Sequence, residues 1–209
     1  MTLIAFDLDG TLTETLESIV TALNKTLLHF NLPQHSFDDV RKMIGFGAEQ
    51  LIQKAVQSDS KDYINTLLQQ FKKILSVEQK SVRLYSGIRE LLDQLKAKGF
   101  KTAITSNKPQ DTLILLTQSL DIQVDHVIGV CEGTAPKPDK CMIDQLRKLY
   151  PGHKIILVGD TEIDYQTAVN AEIDSVIVSY GFRTVEELRG FGIAELVPSV
   201  EELSRVLLG

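Results

Sequence analysis

Five short apolar runs constrain this chain more than any other feature: Leu3-Ile4-Ala5-Phe6, Lys101 to Thr105, His126 to Val130, Lys154 to Val158 and Asp174 to Val178. From about residue 82 onward, stretches with helical spacing separate one run from the next. Ile88, Leu91, Leu92 and Leu95 share one helix face closed by Gly99, and a further helix opens at Pro109. Strand and helix in alternation imply right-handed crossovers and a parallel sheet covered on both faces. The expected class is α/β, with a doubly wound, Rossmann-like parallel sheet.

The stretch between the first run and the second does not follow that rhythm. Leu16, Ile19, Val20, Leu23, Leu27 and Phe30 share one helical face, and Ile64, Leu67, Leu68, Phe71 and Leu75 share another. A break at Asn31-Leu32-Pro33 and a start signal at Ser36-Phe37-Asp38-Asp39 divide the region into at least three helices. The expected organisation is a core of residues 1–13 and 82–209, interrupted by a helical domain over 14–81. Near the C-terminus, Thr184-Val185-Glu186-Glu187 and Ser199-Val200-Glu201-Glu202 read as capping boxes flanking a last strand near Ala194 to Val197.

Composition narrows the partners. The chain has 209 residues, 43% of them hydrophobic and 24% charged, with a formal net charge of -6. That acidity, with no basic run, argues against a nucleic-acid backbone as partner. No apolar stretch approaches the ~20 residues needed to cross a bilayer. The first strand begins near residue 2, which leaves no room for a secretory signal. Cys131 and Cys141 form no C-x-x-C pair, so the expected setting is a reducing cytoplasm. His29, His35, His126 and His153 show no metal-ligand spacing.

In open parallel sheets ligands bind beyond the carboxyl ends of the strands. Those ends carry Asp7 and Asp9 ahead of Gly10-Thr11, then Ser106-Asn107-Lys108, then Lys137 downstream of the third run, then Gly159-Asp160 with Asp164. Two acids on a tight turn can supply a nucleophile and a proton shuttle, and the others suit a hard metal. Each element also has an ordinary explanation. Ser106-Asn107-Lys108-Pro109 could cap a helix, Ala135-Pro136-Lys137-Pro138-Asp139 could be a rigid turn, and Asp160 and Asp164 could complement a helix dipole. What joins them is their common position at one edge of one sheet.

Through Asp7-Leu8-Asp9-Gly10-Thr11, Ser106-Asn107, Lys137 and Gly159-Asp160-Thr161-Glu162-Ile163-Asp164, the chain resembles the haloacid dehalogenase-like hydrolase superfamily. Within it the chain is most similar to the phosphoglycolate phosphatase group, with a helical cap inserted after the first strand. The resemblance implies a phosphatase acting on a small phosphorylated metabolite through an aspartyl-phosphate. Asp7 would be the nucleophile, Asp9 the acid and base, and Lys137 the neutralising cation. Ser106, Asn107 and Gly10 would bind phosphate; Asp7, Asp9 and Asp160 would hold Mg2+; Asp164 would orient Lys137 or metal-bound water. In the cap, Arg41 with Gly45 and Phe46 would face the substrate, Arg41 binding a carboxylate; a solvated helix face is the alternative there. A phosphomutase of the same fold and a noncatalytic phospho-ligand or protein-binding module are the competing functions.

The chain departs from the family pattern in two places. Glu14-Thr15 stands where an Asp-Ser pair is commoner, and Ala171-Glu172 where Ala-Gly is common. A Glu there would carry left-handed strain or shift the helix end. Lys108 is an extra cation without an assigned role.

Overall fold

The computed structural model describes residues 1–209. Five strands, β1 (Thr2–Phe6), β2 (Lys101–Pro109), β3 (His126–Val130), β4 (Lys154–Gly159) and β5 (Asp174–Ile177), form one sheet in the order β3-β2-β1-β4-β5, every pairing parallel. Successive strands run outward from β1 to β3, and the chain then returns to lay β4 on the other side of β1. The crevice beyond the ends of β1 and β4 is therefore the topological switch point.

The period of a strand decides which core each residue joins. Ile4 and Phe6 of β1 pack with Leu91 and Leu95 of α5 (Ile88–Ala97), Leu113 and Leu116 of α6 (Gln110–Ser119), and Leu203 and Leu207 of α10 (Val200–Leu208). Leu3 and Ala5 point the other way, onto Met142 and Leu146 of α7 (Cys141–Leu149) and Ala168 of α8 (Glu162–Asn170). Burial on both faces is why these strands read as continuous apolar runs rather than alternating ones.

The insertion consists of α1 (Leu16–His29), α2 (Phe37–Met43), α3 (Ala48–Val56) and α4 (Lys61–Glu78), closed by a 3-10 turn at Gln79–Ser81. These helices bury a cluster of their own that includes Leu23, Leu27, Ile52, Leu67 and Phe71. Phe182, from the loop after β5, is the one member supplied from outside the insertion. The two connecting segments lie side by side, with Glu14 N–H donating to the Arg83 carbonyl at 2.9 Å and Tyr85 N–H to the Leu12 carbonyl at 3.0 Å.

Two expectations from the sequence need correction. β2 runs on to Pro109 instead of ending at Thr105, and its register with β3 shifts between those residues. The last strand near Ala194 to Val197 reduces to a single bridge between Val178 and Val197, because Ser199, the next residue that could pair, already caps helix α10. At the remaining short helix, α9 (Val185–Gly190), Thr184 and Glu187 form the reciprocal capping box; at α10, Ser199 accepts from Glu202 N–H alone.

Glu172 sits at φ +53° just past α8, where its N–H bonds to the Val169 carbonyl and Ile173 N–H reaches the Ala168 carbonyl. A side chain in that region costs roughly 1–2 kcal/mol, and the greater freedom of unfolded glycine gives part of this back. Glu172→Gly is therefore expected to raise stability by about 1 kcal/mol in urea denaturation, and a loss of stability would contradict this account.

Candidate functional site

Asp7 directly follows β1, anchored by its N–H to the Val158 carbonyl at 2.8 Å. Asp160 directly follows β4, so the switch-point crevice is lined by carboxylates from both neighbouring strands. Lys137 reaches in from the loop after β3, its Nζ 2.6 Å from Asp7 Oδ1 and 2.6 Å from Asp164 Oδ1. All four side chains are buried.

Each acid has a distinct environment. Asp164 is saturated: one oxygen accepts from Lys137, the other from the Thr161 hydroxyl at 2.7 Å and the Thr161 N–H at 3.2 Å. Asp160 accepts from the Phe182 N–H at 2.6 Å and from the Thr11 hydroxyl at 3.2 Å. Asp9 Oδ2 meets Lys108 Nζ at 3.0 Å, whereas Asp9 Oδ1 is buried with no partner. Burial raises Asp7 to about 7 against the pull of Lys137, and Asp164 and Asp9 push it the same way. Asp160 is also raised well above the ordinary range, first by burial and then by Asp7 and Asp164. Burial alone would lower Lys137, but Asp164 and Asp7 reverse that and raise it.

Glycines make the crowding possible. A Cβ on Gly10 (φ +90°) would lie 2.3 Å from Asp160 Oδ2, and one on Gly181 would lie 2.4 Å from the same oxygen. Gly10 is thus required, but its N–H donates to the Thr13 carbonyl at 2.9 Å and so is not the free phosphate donor expected from the sequence.

Asn107 also differs from expectation. Its amide donates to the Lys137 carbonyl at 2.9 Å and the Gly45 carbonyl at 3.0 Å, and its oxygen accepts the Lys137 N–H at 2.6 Å. It therefore fixes the lysine loop and the helical insertion, with no side-chain donor left over for an anion. The Ser106 hydroxyl accepts from Lys108 N–H at 3.2 Å and keeps its own proton to give. Lys108, unassigned from sequence, is the second cation of the site.

A cavity of about 570 Å³ opens from Asp7, Asp9, Ser106 and Lys137 and runs between the sheet edge and the insertion. Gly45 lines it, whereas Arg41 and Phe46 do not. Arg41 is taken up by Asp38 at 2.7 Å, Glu187 at 2.6 Å and the Phe182 carbonyl at 2.6 Å, and its hydrogen bonds hold Glu187 down at about 2. No N–H donor remains on it for a substrate carboxylate. Lys54 lies over the Phe46 ring, 4.7 Å from its centroid. Arg183, which sequence reasoning missed, donates to the Ile44 carbonyl at 2.9 Å and the Arg41 carbonyl at 3.0 Å while pairing with Glu162 at 2.7 Å. Its partners are far away in sequence, so no local pattern marks it.

Residues 4–178 match the family model for haloacid dehalogenase-like hydrolases. The chain belongs to this family. It is 33% identical over 203 residues to a phosphoglycolate phosphatase of Caulobacter vibrioides, covering 93% of this chain and 85% of the relative. It is 30% identical over 202 residues to another from Colwellia psychrerythraea, covering 90% and 88%. Among solved structures, one from Lactobacillus delbrueckii subsp. bulgaricus superposes with a TM-score of 0.92 at 27% identity, covering 100% of this chain and 98% of that one. A predicted phosphoglycolate phosphatase from Haemophilus somnus gives 0.90 at 26%, covering 99% and 98%.

The residues of this hydrolase site suit a divalent metal. Asp7, Asp160 and Asp164 present carboxylate oxygens that all lie within 4.8 Å of one another. Counting Asp9, four carboxylates face two ammonium groups, which leaves negative charge in excess, and neighbouring carboxylates add to the burial that raises Asp7 and Asp160. Hard oxygen donors with surplus negative charge fit a hard cation.

The sign of the pH effect follows. Asp7 titrates near 3.8 when unperturbed and about 7 when folded, so between those values the folded state holds more protons than the unfolded one. Stability of the metal-free protein is therefore lost from this group as pH rises through that window. The gain in Tm on adding a divalent cation is expected to be larger at pH 8 than at pH 5 by scanning calorimetry; equal gains would contradict the proton competition.

Proposed function

We propose that this chain is a Mg2+-dependent phosphatase that hydrolyses a small phosphomonoester through an aspartyl-phosphate on Asp7. The observation that carries the reading is the buried Asp7 carboxylate 2.6 Å from Lys137, beside Asp160 and next to the unpartnered oxygen of Asp9. The family match and the curated relatives named phosphoglycolate phosphatase support the reaction class. Phosphoglycolate is accordingly the reference ester.

Asp7, Asp160 and the Asp9 backbone carbonyl would hold Mg2+. When bound, the ion supplies charge neutralisation to the phosphoryl oxygens and to Asp7. The protein's own groups do the rest. An Asp7 oxygen attacks phosphorus as the phosphorus–alcohol bond breaks, and Asp9 gives a proton to the leaving oxygen. Water then attacks the phosphorus of the acyl phosphate, Asp9 takes its proton, and phosphate departs with Asp7 restored. Lys137 offsets part of the proton affinity that burial gives Asp7 and would balance charge on the transferring group. The Ser106 hydroxyl would donate to a nonbridging oxygen, and Lys108 would hold Asp9 in reach of the leaving group.

Helices α1–α4 would act as a cap over this chemistry, excluding water until the alcohol has left. With several groups acting together, loss of the nucleophile is not compensated by the others. Asp7→Asn is expected to abolish phosphate release in the presence of Mg2+ while the folded protein retains its circular dichroism. Near-normal turnover by this variant would falsify the nucleophile assignment. Chelation of divalent ions is expected to remove activity, and added Mg2+ to restore it.

A further inference from the structure

The cavity is far larger than a glycolate half would fill. Its volume of about 570 Å³ lies among pockets that enclose ligands of drug size. This space is present with the insertion already seated on the core, through Asn107 on the Gly45 carbonyl, Arg183 on the Ile44 and Arg41 carbonyls, and Arg41 on Glu187 and the Phe182 carbonyl.

Away from the phosphoryl end its wall is predominantly apolar, interrupted by Ser76, Gln79, Thr112 and Ser119. Ile44, Leu51 and Leu75 contribute from the insertion, and Leu115, Leu116 and Leu120 from α6 and the residue that ends it. Leu115 is 67% exposed, a large apolar side chain held at the rim of the cavity rather than in a core. The cations near the reacting centre are all committed: Lys137 to Asp7 and Asp164, Lys108 to Asp9, Arg183 to Glu162 and Arg41 to Glu187. The remaining lining lysines, Lys72 and Lys80, are exposed. A substrate carboxylate close to phosphorus therefore meets no free cation, whereas methylene groups meet a ready wall.

We propose that the alcohol half of the substrate carries an apolar body of six or more carbons, laid along this wall while its phosphate sits at Asp7. The inference rests on the phosphatase reading of the same site and specifies its leaving group. Burial of apolar carbon is worth up to about fourfold in affinity per methylene.

The test is an alkyl phosphate series from ethyl to hexyl, with phosphoglycolate alongside, assayed with Mg2+ by phosphate release. The expected result is a kcat/KM for hexyl phosphate at least tenfold above both ethyl phosphate and phosphoglycolate. A flat series, or phosphoglycolate turned over faster, would overturn the proposal while leaving the phosphatase reading intact. Leu115→Glu is expected to lower the hexyl-to-ethyl ratio at least threefold, and an unchanged ratio would count against the wall. If no ester is hydrolysed, the phosphatase reading fails, and calorimetric binding of uncleavable hexylphosphonate against 3-phosphonopropionate still decides the cavity. Tighter hexylphosphonate supports the apolar body; equal or weaker binding overturns it.

Discussion

Lys137 brings a buried ammonium group to the floor of the cavity and meets Asp7 and Asp164 there at 2.6 Å each. A buried ion pair of this kind adds little net stability, but removing one partner strands the other charge at a cost of about 3–5 kcal/mol. The three side chains come from the end of β1, the loop after β3 and the start of α8. Their geometry therefore depends on the strand order being right, and local structure alone cannot produce it. Asn107 extends the dependence, since its amide holds the backbone of Lys137 on both N–H and C=O and also reaches Gly45 in the insertion. The orientation of the lysine and the seating of the helices share one residue.

Much of this was legible from pattern. The parallel sheet followed from strand-helix alternation, and the site followed from the rule that ligands gather at strand ends, which placed Asp7, Ser106, Lys137 and Asp160 together before any coordinates. What pattern could not give was how each group spends its hydrogen bonds. Asn107 and Gly10 lie at the expected edge, yet the side-chain amide of the one and the N–H of the other are committed to backbone carbonyls. Arg41 looked free because its partner Glu187 is 146 residues away. Gly181 was invisible for the same reason: its need for no side chain is set by Asp160, through a contact that only the fold creates.

Electrostatics shows the same division between what motifs specify and what tertiary contacts decide. The protein is acidic overall and gathers four carboxylates where an anion must bind, which would repel a phosphate unless positive charge enters the site. Two lysines reduce the excess without removing it. Carboxylates whose burial already favours protons over bare charge suit a cation, and a cation held there would complete the field that draws a phosphate in.

Phe182 links this field to the helices above it. Its ring is part of the apolar cluster of α1–α4, while its N–H donates to Asp160 Oδ2 at 2.6 Å. Its carbonyl accepts from Arg41, and the next residue, Arg183, holds two further carbonyls of the insertion. Lifting the helices from the core would have to strip an aromatic ring from apolar surroundings or carry the Gly181 to Arg183 loop along. Either route disturbs the N–H that orients Asp160, so the position of the insertion and the readiness of the acid site are mechanically coupled rather than independent.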